Sequence, residues 1–335
     1  MKSSTCLISV CIPVFQTECY LAQCLRSVYV QDFSSFEIVV VNDASDGHDE
    51  KNHTAKKIVK IAQKECNKFR RQNKLSPVKI NYIEHNENRG CVETRRTLVY
   101  EARGAYITMV DSDDELMNNA LSTMYKTAID NSADIVHGTA ISGFYDKNGL
   151  FHQSAETKCG RIFYGKKEGL DILKEWFSGL FRGTLWGKLI PKTLYEKAFN
   201  QIPYTECNMA DDVLIFFFIA INASRYVGIE DKVYRYRENS GMSSNRTIDT
   251  LQKWRLMCSS SSVFTIITEW ISQSADETFK SKFDNEQLSK VMITYLKGNL
   301  IRLKESVIPE LQPAAYEMLC DYWGEDFVQK VNSIL

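Results

Sequence analysis

The chain has 335 residues, and its apolar fraction of 44% and charged fraction of 25% are those of an ordinary globular protein. Its 41 basic and 42 acidic residues give a net charge of −1, which excludes nucleic-acid binding driven by global charge. The first residues lack the long apolar stretch of a signal peptide, and no later run approaches the ~20 apolar residues of a membrane span. We therefore expect a cytoplasmic protein whose ten cysteines stay reduced.

Short apolar runs alternate with longer helical patterns in the first half of the chain. Strands are predicted over residues 7–12, 37–41, 78–84 and 106–110. Helices are predicted between them over roughly residues 18–30, 49–72 and 91–103. The second strand is apolar at nearly every position, which is typical of a strand buried on both faces in a parallel sheet. The alternation predicts an α/β domain with a mainly parallel central sheet flanked by helices.

The predicted second helix is strongly basic. Its basic residues include Lys56, Lys57, Lys60, Lys64, Lys68, Arg70 and Arg71. Apolar residues such as Ile58 and Ile61 recur at helical spacing, so one face is expected to pack while the other is charged. The pattern indicates a solvated surface helix. A patch for anionic lipid, which would give peripheral membrane association, is the alternative.

The chain changes character after about residue 240. From residue 250 to the end it has helical patterning and little strand patterning. Residues at helical intervals include Trp254, Met257, Phe264, Ile267, Leu288, Met292, Tyr295 and Asn299. We expect a C-terminal helical appendage whose apolar faces pack on the preceding domain or form a homodimer.

Polar residues are concentrated where the predicted strands end. The second strand runs into residues 42–47 and the third into residues 85–90, while the fourth ends in Asp111, Asp113 and Asp114. Ligands of an open parallel sheet bind beyond the carboxyl ends of its strands. Three carboxylates within four residues repel one another, and Mg²⁺ or Mn²⁺ would compensate them and bring diphosphate oxygens along. The alternative is a helix N-terminus at which the last two aspartates act as caps.

Glycine-rich phosphate loops are missing from the sequence. Neither a Walker-type loop nor a Gly-x-Gly-x-x-Gly turn follows the first strand. A metal together with an arginine remains as the way to hold a phosphate. Arg95 and Arg96 lie early in the third predicted helix, where a guanidinium can donate two parallel hydrogen bonds to a diphosphate. A surface position is the alternative for either arginine.

An ordered set of motifs extends this pattern from Cys6 to Ser244. The segments, in chain order, are Pro13-Val14-Phe15-Gln16, Asn42-Asp43-Ala44-Ser45-Asp46, Asn88-Arg89-Gly90, Thr94-Arg95-Arg96, Asp111-Ser112-Asp113-Asp114, Leu185-Trp186-Gly187-Lys188-Leu189, Ala210-Asp211-Asp212 and Tyr234-Arg235-Tyr236-Arg237. In order and spacing this set resembles the family 2 glycosyltransferases, which have the nucleotide-diphospho-sugar fold called GT-A. Within that family the chain is similar to members that act in bacterial surface-polysaccharide and lipopolysaccharide synthesis.

The resemblance implies a division of the chain and a role for each motif. A GT-A catalytic domain would span residues 1–245, with a nucleotide-sugar-binding half over 1–115 and an acceptor-binding half over 116–245, before a C-terminal helical region over 246–335. The implied donor-binding residues are Pro13, Phe15, Asp43, Arg95, Asp111, Asp114 and Arg237. Asp113 would hold Mn²⁺ or Mg²⁺, and Asp212 would be the catalytic base. The implied acceptor-side residues are Trp186, Lys188 and Asp211. The alternative is a core position for Trp186 and an exposed surface position for Lys188 and Arg237.

The implied reaction is a single displacement with inversion. An acceptor hydroxyl, deprotonated by Asp212, would attack the anomeric carbon while the nucleoside diphosphate leaves from the opposite face. The donor would be a nucleotide-diphosphate hexose or N-acetylhexosamine, with UDP as the family's common nucleotide, and the acceptor a saccharide or lipid-linked saccharide at the inner face of the plasma membrane. The alternatives are a non-catalytic nucleotide-sugar-binding subunit and a sugar nucleotidyltransferase of related fold. The latter would need a glycine-rich signature that residues 13–19 lack.

Overall fold

The structure is a computed structural model that describes residues 6–155, 160–240, 247–274, 279–280 and 283–335. Within these residues the strands join in one sheet. They are β1 (Ile8–Val14), β2 (Phe36–Asn42), β3 (Ile80–Glu84), β4 (Tyr106–Met109), β5 (Glu115–Leu116), β6 (Ile135–Tyr145), β7 (Phe151–Gln153), β8 (Gly165–Glu168), β9 (Lys188–Pro191) and β10 (Arg225–Arg237).

Helices flank the sheet and make up the C-terminal part. The helices before residue 245 are α1 (Glu18–Tyr29), α2 (Ala55–Gln72), α3 (Cys91–Glu101), α4 (Ala120–Asn131), α5 (Asp171–Phe177), α6 (Lys192–Gln201) and α7 (Asp211–Asn222). Those after it are α8 (Leu251–Cys258), α9 (Ser260–Gln273), α10 (Asn285–Glu305), α11 (Gln312–Trp323) and α12 (Glu325–Asn332), with a short 3₁₀ turn at Pro309–Leu311.

The sheet is parallel on one side and mixed on the other. Its order is β3-β2-β1-β4-β9-β6-β10-β5, with β7 beside β6 and β8 beside β10. The four strands β3, β2, β1 and β4 are parallel to one another, whereas β9 is antiparallel to both β4 and β6. All seven residues of β2 are buried, as expected for a strand covered on both faces. The predicted parallel arrangement of the first four strands is therefore confirmed.

Two apolar layers cover the faces of the sheet. Successive side chains of a strand point to opposite faces, so Ile38 and Val40 pack with α1, α2 and α4, while Val39 and Val41 pack with α3 and α5 to α7. The second layer continues without interruption into the C-terminal helices.

Helix α7 packs between the sheet and the C-terminal helices. Its residues from Leu214 to Ala220 are 0–1% exposed, since a helix that is apolar on every side is stable only when surrounded. Phe217 and Phe218 contact the ring of Trp270 on α9, with centroids 5.8 and 5.5 Å apart. The predicted packing of the C-terminal helices on the preceding domain is thus confirmed, whereas a homodimer through their outer faces stays a prediction. In the described part of the chain, no helix combines the length and apolarity needed to cross a membrane.

Helix α2 is shorter and less uniformly basic on its surface than predicted. It begins at Ala55 rather than at residue 49, because Asp49 accepts hydrogen bonds from the amides of Lys51 and His53 and closes a turn there. Arg70 does not lie on the basic face. It is 1% exposed and donates to the carbonyls of Tyr29, Gln31 and Phe33. The exposed basic face consists of Lys56, Lys57, Lys60, Lys64, Lys68 and Arg71.

Candidate active site

A cavity of about 430 Å³ opens beyond the carboxyl ends of β1, β2 and β4, the edge at which the sequence predicts the ligand. The first turns of α3 and α7 also line it. Predicted site residues on its wall are Pro13, Phe15, Asp43, Arg95, Asp111, Asp113, Trp186, Asp211 and Asp212. The structure therefore brings most of the predicted residues together in one place.

Asp114, Arg237 and Lys188 lie behind the wall of this cavity. Asp114 is 1% exposed and accepts hydrogen bonds from the hydroxyl of Tyr234, at 2.9 Å, and from the amide of Arg237, at 2.7 Å. Burial, followed by the charges of Asp113 and Asp111, raises the pKa of Asp114 well above its usual value. These bonds fix the Asp111–Asp114 turn against β10 and leave both oxygens of Asp114 occupied.

The guanidinium of Arg237 supports the same turn. Its Nε donates to the carbonyl of Asp113 over 3.0 Å, and its Nη2 donates to Gln23 over 2.7 Å. The group lies over the rings of Tyr20 and Tyr145, at 4.7 and 4.3 Å from their centroids. Lys188 is 0% exposed and points into the protein. Neither cation has the exposed surface position that was the alternative to ligand contact.

Asp43 organises the loop that closes one end of the cavity. It is 2% exposed, and its Oδ1 accepts from His85 Nδ1 at 2.7 Å and from the amide of Arg89 at 2.9 Å. Its Oδ2 accepts from the amide of Gly90, also at 2.9 Å. A φ of +86° at Gly90 lets the chain turn here into α3. The role of His85 was missed, although the residue lies in the polar segment that follows β3.

Arg95 crosses the cavity wall between two of the predicted carboxylates. Its Nε donates to Asp211 over 2.7 Å and its Nη2 to Asp111 over 3.0 Å. Burial opposes the charged form, but Asp211 and Asp111 raise the pKa of Arg95 well above its usual value, so the side chain stays cationic. Among the described residues Nη1 finds no hydrogen-bond partner although it is buried. Such a donor on a cavity wall suits an anionic ligand.

Arg96 has a different role. It pairs with Glu93 at 2.8 Å and donates to the carbonyls of Phe199 and Ile202. It therefore fastens α3 to the end of α6. Of the two arginines that the sequence leaves open, only Arg95 lies on the cavity wall.

Asp212 stands at the start of α7 with its carboxylate at the cavity. Ala210, at φ +63°, turns the chain so that Asp211 and Asp212 open the helix. Oδ1 of Asp212 accepts from the amide of Val213 at 2.9 Å. Burial and the neighbouring charge of Asp211 raise the pKa of Asp212 to about 6. A carboxylate with a raised pKa near neutrality is suited to remove a proton from a ligand.

Asp113 is the candidate metal ligand, and its surroundings fit that function. Burial and the charge of Asp111 raise its pKa, so the protein alone does not balance its negative charge. Its Oδ2 accepts from Ser240 at 2.7 Å. No group of three His, Cys, Asp or Glu residues arranged to hold a metal occurs in the described segments. Magnesium-like ions that are bound through one or two carboxylates take their other ligands from phosphates and water, and Asp113 with Asp111 matches that donor set.

Two further residues line the cavity although the sequence analysis does not predict them as ligand contacts. Tyr236 of β10 and Tyr295 of α10 lie on its wall beside Trp186. Trp186 stacks on Tyr234 with ring centroids 4.7 Å apart and is 7% exposed, so it is both packed and at the cavity. Tyr295 belongs to a helical repeat whose other members pack, and its own spacing therefore predicts a core position. The C-terminal helices thus contribute to the cavity.

Comparison with known proteins shows the family of the chain. The model of the family described as Glycosyl transferase family 2 matches residues 9–199, more than half of the chain. Glycosyltransferase GlyG of Streptococcus pneumoniae is 26% identical over 238 residues, which cover 70% of this chain and 72% of GlyG. Glycosyltransferase GlyA of the same organism is 27% identical over 243 residues, covering 71% of this chain and 31% of GlyA. A β-1,3-glucosyltransferase of Campylobacter jejuni, named for the acceptor GalNAc(5)-diNAcBac-PP-undecaprenol, is 23% identical over 71% of this chain and 69% of its own length.

Solved structures share the fold. Staphylococcus aureus TarS 1–349 in complex with UDP-GlcNAc superposes with a TM-score of 0.51 at 20% identity, covering 95% of this chain and 89% of that one. The mannosyltransferase of Pyrobaculum calidifontis in complex with GDP-Man and Mn²⁺ superposes with a TM-score of 0.50 at 16% identity, covering 97% and 84%. The GT-A fold expected from the motifs is confirmed, including its C-terminal helical region.

Proposed function

The chain belongs to glycosyl transferase family 2 and is a glycosyltransferase, and from this premise we propose that it moves a hexose or N-acetylhexosamine from a UDP-sugar to a saccharide acceptor with inversion. The observation that best supports this proposal is that Asp212, with its raised pKa, faces the same cavity as Arg95, Asp111 and Asp113. One side of the cavity can hold an anionic leaving group while the other removes a proton from the acceptor hydroxyl.

The donor is proposed to lie against the ends of β1, β2 and β4. Pro13 and Phe15 offer apolar surface beside Asp43 for a nucleobase, and Asp111 is proposed to lie near the ribose. The Nη1 atom of Arg95, which carries two N–H donors and has no partner among the described residues, is proposed to donate to the diphosphate. UDP is chosen because TarS was solved with UDP-GlcNAc. In this arrangement residues 1–115 form the nucleotide-sugar-binding half and residues 116–245 the acceptor-binding half.

We propose that Asp113, helped by Asp111, holds Mn²⁺ or Mg²⁺ together with the diphosphate. When bound, the ion neutralises negative charge on the leaving nucleoside diphosphate. The Mn²⁺ named with the Pyrobaculum enzyme supports this proposal. Arg95, already held by Asp111 and Asp211, supplies positive charge at the same place from the protein itself.

Asp212 is proposed as the base in preference to Asp211. The Oδ2 atom of Asp211 is engaged by Arg95, whereas Oδ1 of Asp212 accepts from the amide of its own helix turn. A base needs an oxygen that can reach a ligand, and the pairing with Arg95 makes Asp211 the poorer candidate. Trp186 also lines this cavity and is proposed to contact a sugar ring of the acceptor.

A lipid-linked acceptor and a membrane-surface location are proposed as well. Helix α2 carries seven Lys or Arg residues and one Glu over 18 residues, although the whole chain has a net charge of −1. Its exposed face suits the anionic inner surface of a bacterial plasma membrane. The undecaprenol-linked acceptor named for the Campylobacter enzyme supports the choice.

A transfer assay tests the proposal. UDP release is measured with UDP-glucose, UDP-galactose, UDP-N-acetylglucosamine or UDP-N-acetylgalactosamine as donor, p-nitrophenyl glycosides of the same sugars as acceptors, and Mn²⁺ or Mg²⁺. We expect glycosylated product with at least one pair, and its loss with EDTA or in Asp113→Asn. UDP binding without transfer from any donor would instead support a non-catalytic binding subunit, and formation of a UDP-sugar from UTP and a sugar phosphate would support a nucleotidyltransferase.

A further inference from the structure

Lys188, the first residue of β9, is a fully buried lysine at 0% exposure. It does not line the large cavity, but Leu185 and Trp186, just before it in the chain, do. Burying an ammonium group is unfavourable unless hydrogen-bond acceptors replace its water. The surroundings of its Nζ atom therefore indicate what the side chain is for.

The Nζ atom lies in a cage of acceptors. Its three N–H donors face four acceptors: the carbonyl of Arg182 at 3.0 Å, the carbonyl and the hydroxyl of Thr184, the latter at 3.2 Å, and Nε2 of His137 at 3.4 Å. Two of these acceptors therefore share one N–H. If Nε2 accepts, the proton of His137 is on Nδ1 and donates to the hydroxyl of Tyr226 at 3.0 Å. That hydroxyl donates in turn to the carbonyl of Phe163 at 3.3 Å. In this series of hydrogen bonds each group donates to the next one, starting from the lysine.

The electrostatics of the cage agree with this order. Burial, followed by the charge of Lys188, lowers the pKa of His137 well below its usual value, so the imidazole is neutral and able to accept. Burial lowers the pKa of Lys188 to about 7, while the charge of Asp212 acts in the opposite direction. Asp212 is thus close enough for its charge to be felt at the lysine.

The cage joins two parts of the active site. Arg182 and Thr184 belong to the loop that continues into Leu185 and Trp186 on the cavity wall. On its other side the Nζ atom lies over the ring of Phe216, 5.3 Å from the centroid. Phe216 is on α7, one helical turn after Asp212. Lys188 therefore contacts both the loop that presents Trp186 and the helix that presents the proposed base.

We propose that Lys188 is a positioning residue for sugar transfer, which holds the loop of residues 182–187 against α7 and so sets the distance between Trp186 and Asp212 on the acceptor side. This inference rests on the proposed function. It replaces direct acceptor contact by Lys188 with an indirect action through the backbone of the loop. The donor side of the cavity, built on β1, β2 and β4, has no contact with this cage among the bonds described above.

Comparison of Lys188→Met with Lys192→Met tests the proposal. Lys192 opens the helix after β9, and its Nζ donates to the carbonyl of Ala102 at 2.7 Å, outside the cavity. In Lys188→Met we expect kcat for transfer to the best p-nitrophenyl glycoside to fall by roughly 10- to 100-fold, the size known for misplaced reacting groups. The KM for that acceptor should rise, while the calorimetric Kd for UDP stays at the wild-type value. Lys192→Met should match the wild type in all of these measurements.

Two results would overturn the inference. One is wild-type transfer kinetics in folded Lys188→Met, and the other is a loss of UDP affinity that parallels the loss of transfer. If Lys188→Met does not fold, Thr184→Val is used, because it removes one acceptor on the loop and keeps the lysine. It should give the same pattern to a smaller extent, and unchanged acceptor kinetics would contradict the proposal. Failure of the proposed function is recognised separately, because the wild-type enzyme itself would then transfer no sugar.

Discussion

Arg95 on α3 donates from Nε to Oδ2 of Asp211 on α7 over 2.7 Å, across 116 residues of sequence. The pair is buried on the cavity wall, with side-chain exposures of 11% and 15%. A charge-assisted bond in such a place is much stronger than one on the surface. It separates the functions of two adjacent aspartates, since one is committed to the arginine and its neighbour is left at the cavity.

The two aspartates should therefore fail in different ways when each is changed to asparagine. Asp212→Asn should lower kcat by ~10²–10⁴-fold, the usual contribution of a placed base, and leave the affinity for UDP unchanged. Asp211→Asn should weaken UDP binding, because Arg95 loses one of its two anchors. Transfer rates and calorimetric titration with UDP check both variants. Full transfer activity in Asp212→Asn would mean that another group is the base.

The pH dependence of kcat/KM should carry the signature of Asp212. Burial and Asp211 raise its pKa to about 6, and a base acts only when ionised. The rate should therefore fall tenfold per unit as the pH drops below about 6 and level off above it. In Asp211→Asn the remaining activity should begin to fall at a lower pH than in the wild type. The reason is that the negative charge of Asp211, which helps to raise the pKa of Asp212, is gone. An acid limb near pH 4 in the wild type would contradict this assignment.

Tyr234→Phe should destabilise the protein without disturbing its aromatic packing. The hydroxyl donates to Asp114 at 2.9 Å and accepts from the amide of Asp111 at 3.1 Å, while the ring stacks on Trp186. Removing it leaves the buried Oδ2 of Asp114 and the part-buried amide of Asp111 without this partner. A buried polar group left unpaired costs about 1–3 kcal/mol. Urea unfolding measures the change. As a control, Tyr204→Phe alters a residue that is 66% exposed and should stay within ~0.5 kcal/mol of the wild type.

Charge reversal on α2 tests membrane association. Lys57, Lys60 and Lys64 are exposed, and their joint replacement by glutamate should reduce binding to phosphatidylglycerol-containing vesicles by about 100-fold or more, since each basic residue near an anionic surface contributes ~1 kcal/mol. Cosedimentation measures binding, with pure phosphatidylcholine vesicles as a reference. The same change at Lys126, Lys147 and Lys166, exposed lysines outside α2, should have little effect. Equal binding by both triple variants would exclude α2 as the docking face.

The parallel strands and the position of the cavity could be predicted from the sequence because local patterns determine both. An apolar run such as residues 37–41 has few alternatives to a buried strand. The polar residues that follow it are then placed at the ligand-binding edge by the direction of the chain. The same reasoning places Asp43, Asp111 and Asp113, which all lie on the cavity wall.

The partners of individual charged residues could not be predicted, because they depend on distant parts of the chain. The spacing of neighbouring residues predicts neither the pairing of Arg95 with Asp211 nor the burial of Lys188. Arg70 is a clear case. It follows the basic pattern of α2, yet it is turned inward by the carbonyls of Tyr29, Gln31 and Phe33, which lie about forty residues away in sequence. Tyr295 repeats at core spacing and nonetheless reaches the cavity.

Helix α7 is enclosed by the sheet on one side and by the C-terminal helices on the other. The position of Asp212 at the start of this helix therefore depends on packing from both sides. Deleting the chain from α9 onward would expose Phe217 and Phe218, which contact Trp270 of α9, and would remove part of the packing that holds Asp212 in place. The active site and the rest of the protein should therefore unfold together. As denaturant is added, enzyme activity should be lost at the same concentration as the circular dichroism signal of the whole chain.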